Sequence, residues 1–247
     1  MNVSLYQAAA AMNANSRWQE LISDNLADCS VPGARKQDVT FSAVEAGLAS
    51  GQAGLNGEHF VMPAARASIN FRQGEINPTG VTTDFAVDGP GFFQVQMPNE
   101  QVAYTRDGEF HINAKGVLTT KRGLPIIGDS GPIQIDPNNS APISVSASGQ
   151  VSQAGQTKGH IKLAEFKDPH DLIVIGQGYY GVKPGQKPED AQSSAVRQGF
   201  LEAANTSPTV EMSSLITAMR MFESNQKVLQ MQDDRMGRVI MDLGGVS

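Results

Sequence analysis

The sequence predicts an α+β protein: N- and C-terminal helices packed as a coiled-coil-like pair, with a central antiparallel all-β domain between them in sequence. Three observations point there. Apolar residues near the N-terminus follow a three/four spacing, residues 208–243 carry an unbroken heptad pattern, and the sequence between them alternates with period two between turn residues.

The first helix is expected from about Ser4 to Asp28, with Ser4 as its N-cap. Leu5, Ala8, Met12, Ile22 and Leu26 form its stripe, with Asn15 and Gln19 at the remaining seam positions. Val31-Pro32-Gly33 stops it, because proline lacks the N–H that a helix interior requires. Residues 29–65 read as an extended connector, since Gly47, Gly51, Gly54 and Gly57 interrupt any helical pattern.

The β domain is expected over residues 66–200. Strand candidates are Phe85–Val87, Phe92–Val95, Val102–Tyr104, Phe110–Ile112, Val117–Leu118, Ile143–Ser146, Gln150–Ser152, Ile161–Phe166 and Tyr179–Val182. Asp88-Gly89, Asp107-Gly108 and Asn113–Gly116 separate some of them, residues whose side chains or missing Cβ suit tight turns. Gly185–Ser194 reads as a second linker.

The return segment and C-terminal helix occupy 201–247. From Pro208, Met212, Leu215, Met219, Phe222, Gln226, Leu229, Asp233, Met236, Ile240 and Leu243 step by 3,4,3,4, with only Gln226 and Asp233 polar. Each buried apolar side chain contributes about 1.5–3 kcal/mol, which a lone helix cannot realise. The seam therefore requires a partner, and the small residues Ala8–Ala11 make the N-terminal helix a suitable one.

Composition excludes several functions. At 247 residues, 40% hydrophobic and 18% charged, the chain can build a core. A net charge of -6 and the lack of a large basic cluster argue against nucleic acid. No stretch approaches the roughly 20 apolar residues of a membrane span, and the N-terminus lacks the basic and apolar regions of a secretory signal. Cys29 is the single cysteine, so no internal disulfide is possible. His59, His111, His160 and His170 are dispersed, and Asp84, Asp88 and Asp107 read as turn residues without a calcium-loop ladder. No nucleophile elbow or phosphate-cradling loop occurs, so no catalytic residue, cofactor, metal or small-molecule substrate is expected.

Four segments resemble the flagellar rod and hook family. They are Ser4-Leu-Tyr with Ile22-Ser-Asp-Asn-Leu-Ala27 and Ser30-Val-Pro-Gly33; Asp84-Phe-Ala-Val-Asp-Gly-Pro-Gly-Phe-Phe-Gln-Val95; Ala103-Tyr-Thr-Arg-Asp-Gly-Glu-Phe110 with Gly116-Val-Leu-Thr119; and Gln198-Gly-Phe-Leu-Glu-Ala-Ala-Asn205 leading to Arg220-Met-Phe-Glu223. The resemblance implies a structural subunit of the bacterial flagellar basal body that polymerises helically around the export channel and transmits torque. It implies copies of itself, other rod and hook proteins and the type III export apparatus as partners, and export across the periplasm without a cleaved signal. Gly128-Asp-Ser-Gly-Pro-Ile133 and Asp233-Asp-Arg-Met-Gly-Arg238 resemble the proximal rod subunit more than the distal one. Asp24 and Ala34 depart from the family pattern, at an asparagine and an aromatic position. The expected assembly interface comprises Leu5, Met12, Ile22, Asn25, Leu26, Met212, Leu215, Met219, Phe222, Leu229, Met236 and Ile240. A secreted wall-acting enzyme or an unrelated coiled-coil fibre are the alternatives; the first would require a clustered acid/base pair.

Overall fold

The computed structural model describes residues 3–46, 60–137, 139, 141–191 and 193–244. Helix α1 spans Val3–Asp28 and helix α2 spans Pro208–Gly244, with an antiparallel β region between them. The backbone is already helical at Val3, so Ser4 lies inside α1 and is not its cap. Pro208 opens α2, where a missing N–H costs no hydrogen bond. Contacts divide the chain into two units.

One unit holds α1 as far as Leu26, a pair of strands and α2. Strand β1 (Gln37–Ala46) pairs antiparallel with β2 (Phe60–Ile69), from Gln37 opposite Ile69 to Ala46 opposite Phe60. This differs from the expected connector over 29–65 and from a β domain beginning at residue 66. The glycines behind that expectation lie at 47–57, outside the described residues and between the strands, while Val39, Phe41 and Val44 supply β-favouring side chains within β1. A two-stranded ladder is marginal in water by itself. Here α1 braces it: the Trp18 ring meets Phe41 edge-on, with centroids 5.6 Å apart. The Asn25 amide donates to the Gln37 carbonyl at 2.9 Å and accepts from the Gln37 N–H at 2.8 Å.

The other unit comprises Ala27–Lys36 and Asn70–Ser207. Its largest sheet has six strands in the order Leu172–Gly176, Tyr179–Val182, Val102–Thr105, Phe92–Gln96, Leu163–Glu165 and Glu189–Asp190. All the pairings are antiparallel. Glu189–Asp190 falls within the stretch expected to be a linker, and joins the sheet at Ala164–Glu165. Smaller pairs and a three-stranded sheet, Ile143–Val145, Gln150–Gln153 and Gln156–His160, wrap a core that includes Phe85, Phe93, Val95, Phe110, Leu118 and Ile161. The Phe93 and Phe110 rings pack edge to face, 5.1 Å apart. Gly108 lets the chain cross this core, because a Cβ there would overlap the Phe85 carbonyl oxygen.

An ion cluster lies at the edge of this core. The fully buried Glu202 carboxylate accepts from Arg35, from Arg106 Nη1 at 3.1 Å and from the Gly74 N–H at 2.8 Å. Arg106 also donates to the Gly89 carbonyl at 2.6 Å and sits over the Phe92 ring. Burial lowers the Arg106 pKa to about 10, with Glu202 opposing, so the side chain stays cationic at neutral pH. Burial also pushes the Tyr180 hydroxyl up to about 12, and this group accepts the Arg35 N–H at 3.0 Å.

Candidate assembly surfaces

Each terminal helix has a covered stripe; on α2 it is turned relative to the seam expected from sequence, and on α1 it takes in Ala8, Met12, Asn15, Gln19, Ile22 and Leu26 and extends beyond them. On α2 the stripe runs through Glu211, Leu215, Ala218, Phe222, Asn225, Leu229 and Gln232, with Glu211 and Ala218 fully buried. The steps are 4,3,4,3,4,3, so the heptad period stands. Leu215, Phe222 and Leu229 are half-buried on the stripe, while Met212 and Met219 are exposed and lie off it. Small Ala218 and polar Asn225 and Gln232 take the alternate positions. Apolar periodicity located the helix and its repeat but not its rotation, because α2 carries apolar side chains on more than one face.

The displaced residues form exposed apolar flanks. Met212, Ile216 and Met219 are 53%, 54% and 53% exposed. At about 100° per residue they share one side of α2. Val210, Met221 and Val228 are exposed on the opposite side, and Met231, Met236 and Met241 are exposed further along the helix. Methionine suits such a surface, since its unbranched, polarisable chain adapts to irregular partners.

On α1 the covered residues include Ala8, Ala14, Asn15, Leu21, Ile22 and Asn25. Met12, Trp18 and Leu26 are half-buried. Ile22 is buried, and Asn25 is buried against β1 through its bonds to Gln37. Trp18 and Leu21 were missed, although their three/four spacing with Ala14 and Asn25 was available as a signal. The side chains of Leu5 and Ile240 lie outside the described residues.

The β unit has its own exposed apolar edge. Ile173 and Ile175, on the outer strand of the six-stranded sheet, are 46% and 50% exposed. They lie beside Gly181, which stands opposite Ile173 and offers no side chain to lift them off the sheet.

Among the described residues no cluster of His, Cys, Asp or Glu is placed to hold a metal, and no helix is long and apolar enough to cross a membrane. A groove of about 230 Å³ includes Asp129, His160, Lys162 and Asp190, but these pair with one another, His160 with Asp129 and Lys162 with Asp190. Ser194, also on its wall, donates to Glu165 at 2.7 Å, so it is not presented to an imidazole as a nucleophile.

The sequence is similar to known proteins. Residues 86–153 match the family described as flagellar hook protein FlgE/F/G D1 domain, and residues 197–243 match flagellar basal body rod FlgEFG protein C-terminal. The chain is 33% identical to flagellar basal-body rod protein FlgF of Caulobacter vibrioides, over 93% of each chain. It is 31% identical to FlgF of Mesorhizobium japonicum over the full length of both, and 30% identical to FlgG of Buchnera aphidicola subsp. Acyrthosiphon pisum over 96% of this chain and 98% of that one.

Proposed function

The chain belongs to the flagellar basal-body rod family, and on that premise we propose that its terminal helices pair with each other and with those of neighbouring subunits to build the rod. The family is structural, so the chain is a structural subunit of the basal body and not an enzyme. Other rod and hook proteins are its assembly neighbours.

We further infer that copies of the chain stack helically around the export channel and that the stack transmits torque. The chain reaches its place in the periplasm-spanning rod through the flagellar type III apparatus without a cleaved signal. We favour the proximal over the distal position, on Gly128–Ile133 and Asp233–Arg238. One observation carries the helix-mediated assembly: α2 has a covered stripe with heptad spacing and, beside it, half-exposed Met212, Ile216 and Met219. Apolar area of that kind on a long helix marks a contact surface.

Met212→Lys with Met219→Lys tests this. Both residues are exposed, so the lysines leave the folded chain intact, and unfolding midpoints should match those of the native protein. In a cell lacking the native gene, the variant should give basal bodies without a completed rod, seen in micrographs of isolated particles. Complete rods and normal swimming would overturn the proposal.

A further inference from the structure

The chain passes between its two units at four places: 26/27, 36/37, 69/70 and 207/208. Three of these passages are bound together by one side chain. The Asn205 Oδ1 accepts the Lys36 N–H at 2.6 Å, on the residue just before β1. The Asn205 Nδ2 donates to the carbonyls of Asn70 at 2.8 Å and Arg72 at 2.9 Å, on the residues just after β2. Asn205 itself stands three residues before α2. Its own N–H donates to the Ala34 carbonyl at 3.2 Å. The acceptor and both amide donors are thus all engaged, and the side chain is half-buried.

The surrounding backbone is built for this contact. Gly33 N–H donates to the Glu202 carbonyl at 2.7 Å, Asn70 N–H to the Lys36 carbonyl at 2.8 Å, and Ala203 N–H to the Glu75 carbonyl at 2.8 Å. Gly33 and Gly74 allow the approach: a Cβ on either would overlap backbone, of Arg106 and Ala203 respectively. Each passage alone is a single strand with two soft dihedrals per residue. Bonded through one amide, the three passages become a single three-ply strap.

We propose that Asn205 is a positioning residue that locks these three segments of the β unit together, so that the chain leaves toward β1, β2 and α2 from one fixed point of that unit. The amide is the one side chain of this size with donors for two carbonyls and an acceptor for an N–H. Aspartate in its place keeps the acceptor but faces the Asn70 and Arg72 carbonyls with charge and no donor. The device is independent of which position in the rod the subunit occupies.

Hydrogen exchange on the full-length chain, read by mass spectrometry with residue-level fragmentation, tests the lock. In Asn205→Ala, the Lys36 amide, which loses its acceptor, should exchange at least tenfold faster, and the Asn70 amide, which donates to the Lys36 carbonyl across the strap, should accelerate with it, while the core amides of Val87, Phe93 and Val95 keep their native rates. In Asn205→Asp, Asn70 should still accelerate, while Lys36 exchanges more slowly than in the alanine variant. Native rates at Lys36 and Asn70 in both variants would overturn the proposal. So would equal acceleration of the core amides, which would make Asn205 a general stabiliser of the β unit.

Discussion

Replacing Glu202 with glutamine removes one charge and hardly any volume, and should be among the most destabilising single changes in the β unit. The carboxylate is fully buried and serves two guanidinium groups and one backbone N–H. The variant leaves the Arg35 and Arg106 guanidinium groups beside each other with no anion between them, and the amide nitrogen of glutamine must turn toward one of its former donors. Removing one partner of a buried ion pair costs about 3–5 kcal/mol. The pair spans segments far apart in sequence, so no local rearrangement can re-solvate it. For a chain of this size, 1 kcal/mol corresponds to roughly 2–4 °C in midpoint. A cost near 4 kcal/mol therefore predicts a midpoint about 8–16 °C lower, by calorimetry or by circular dichroism at a β-sheet wavelength. Buried charges are poorly screened, so the loss should be the same at low and high salt. The exposed Lys167–Glu189 pair is the control: Glu189→Gln should leave the unfolding midpoint where it is in the native protein. A Glu202→Gln loss below about 1 kcal/mol, or one that vanishes in salt, would refute the reasoning by showing that water already reaches the cluster.

Other consequences follow from particular contacts. Burial raises the Asp107 carboxyl to about 6, above its ordinary range near 4, so between about pH 4 and 6 the folded chain holds a proton that the unfolded chain has released. Stability falls as pH rises through that window, and Asp107→Asn should flatten the fall and add about 2–3 kcal/mol near pH 7.5, measured by urea denaturation at pH 4.5 and 7.5. Gly108→Ala should prevent the β unit from folding, since the new methyl group would overlap the Phe85 carbonyl; loss of the folded fraction in solubility and circular dichroism measurements would register it. Trp18→Ala removes the edge-on contact with Phe41 and should cost about 1–3 kcal/mol, with faster hydrogen exchange in β1 and β2 and unchanged exchange at Phe93.

Much of the fold was legible because local rules decide it. Phe92–Gln96, Val102–Thr105, Phe110–Ile112 and Tyr179–Val182 all lie where alternation and turn residues put them. Strands Gln156–His160, Ala195–Gln198 and Phe200–Glu202 show no apolar alternation; the first is held by its hairpin neighbour Gln150–Gln153, and the other two by the distant strands Phe85–Asp88 and Ile76–Pro78. β1 and β2 were hidden by the glycines between them, which suggested flexibility for the whole stretch.

By itself, the sequence determined that two long helices flank a β region, that the C-terminal helix repeats every seven residues, and which family motifs the chain carries. Those properties depend on the spacing of neighbours along the chain. Tertiary structure decided which side of α2 is covered, because that helix has apolar residues on several faces and only packing selects among them. It also decided the meaning of the two motifs Ala103–Phe110 and Gln198–Asn205. Separated by nearly ninety residues in sequence, they meet where Arg106 grips Glu202, and Asn205 reaches Lys36 and Asn70 beside them. No periodicity announces a contact of that kind, since a buried charge is stable only where the folded chain brings its partner to it.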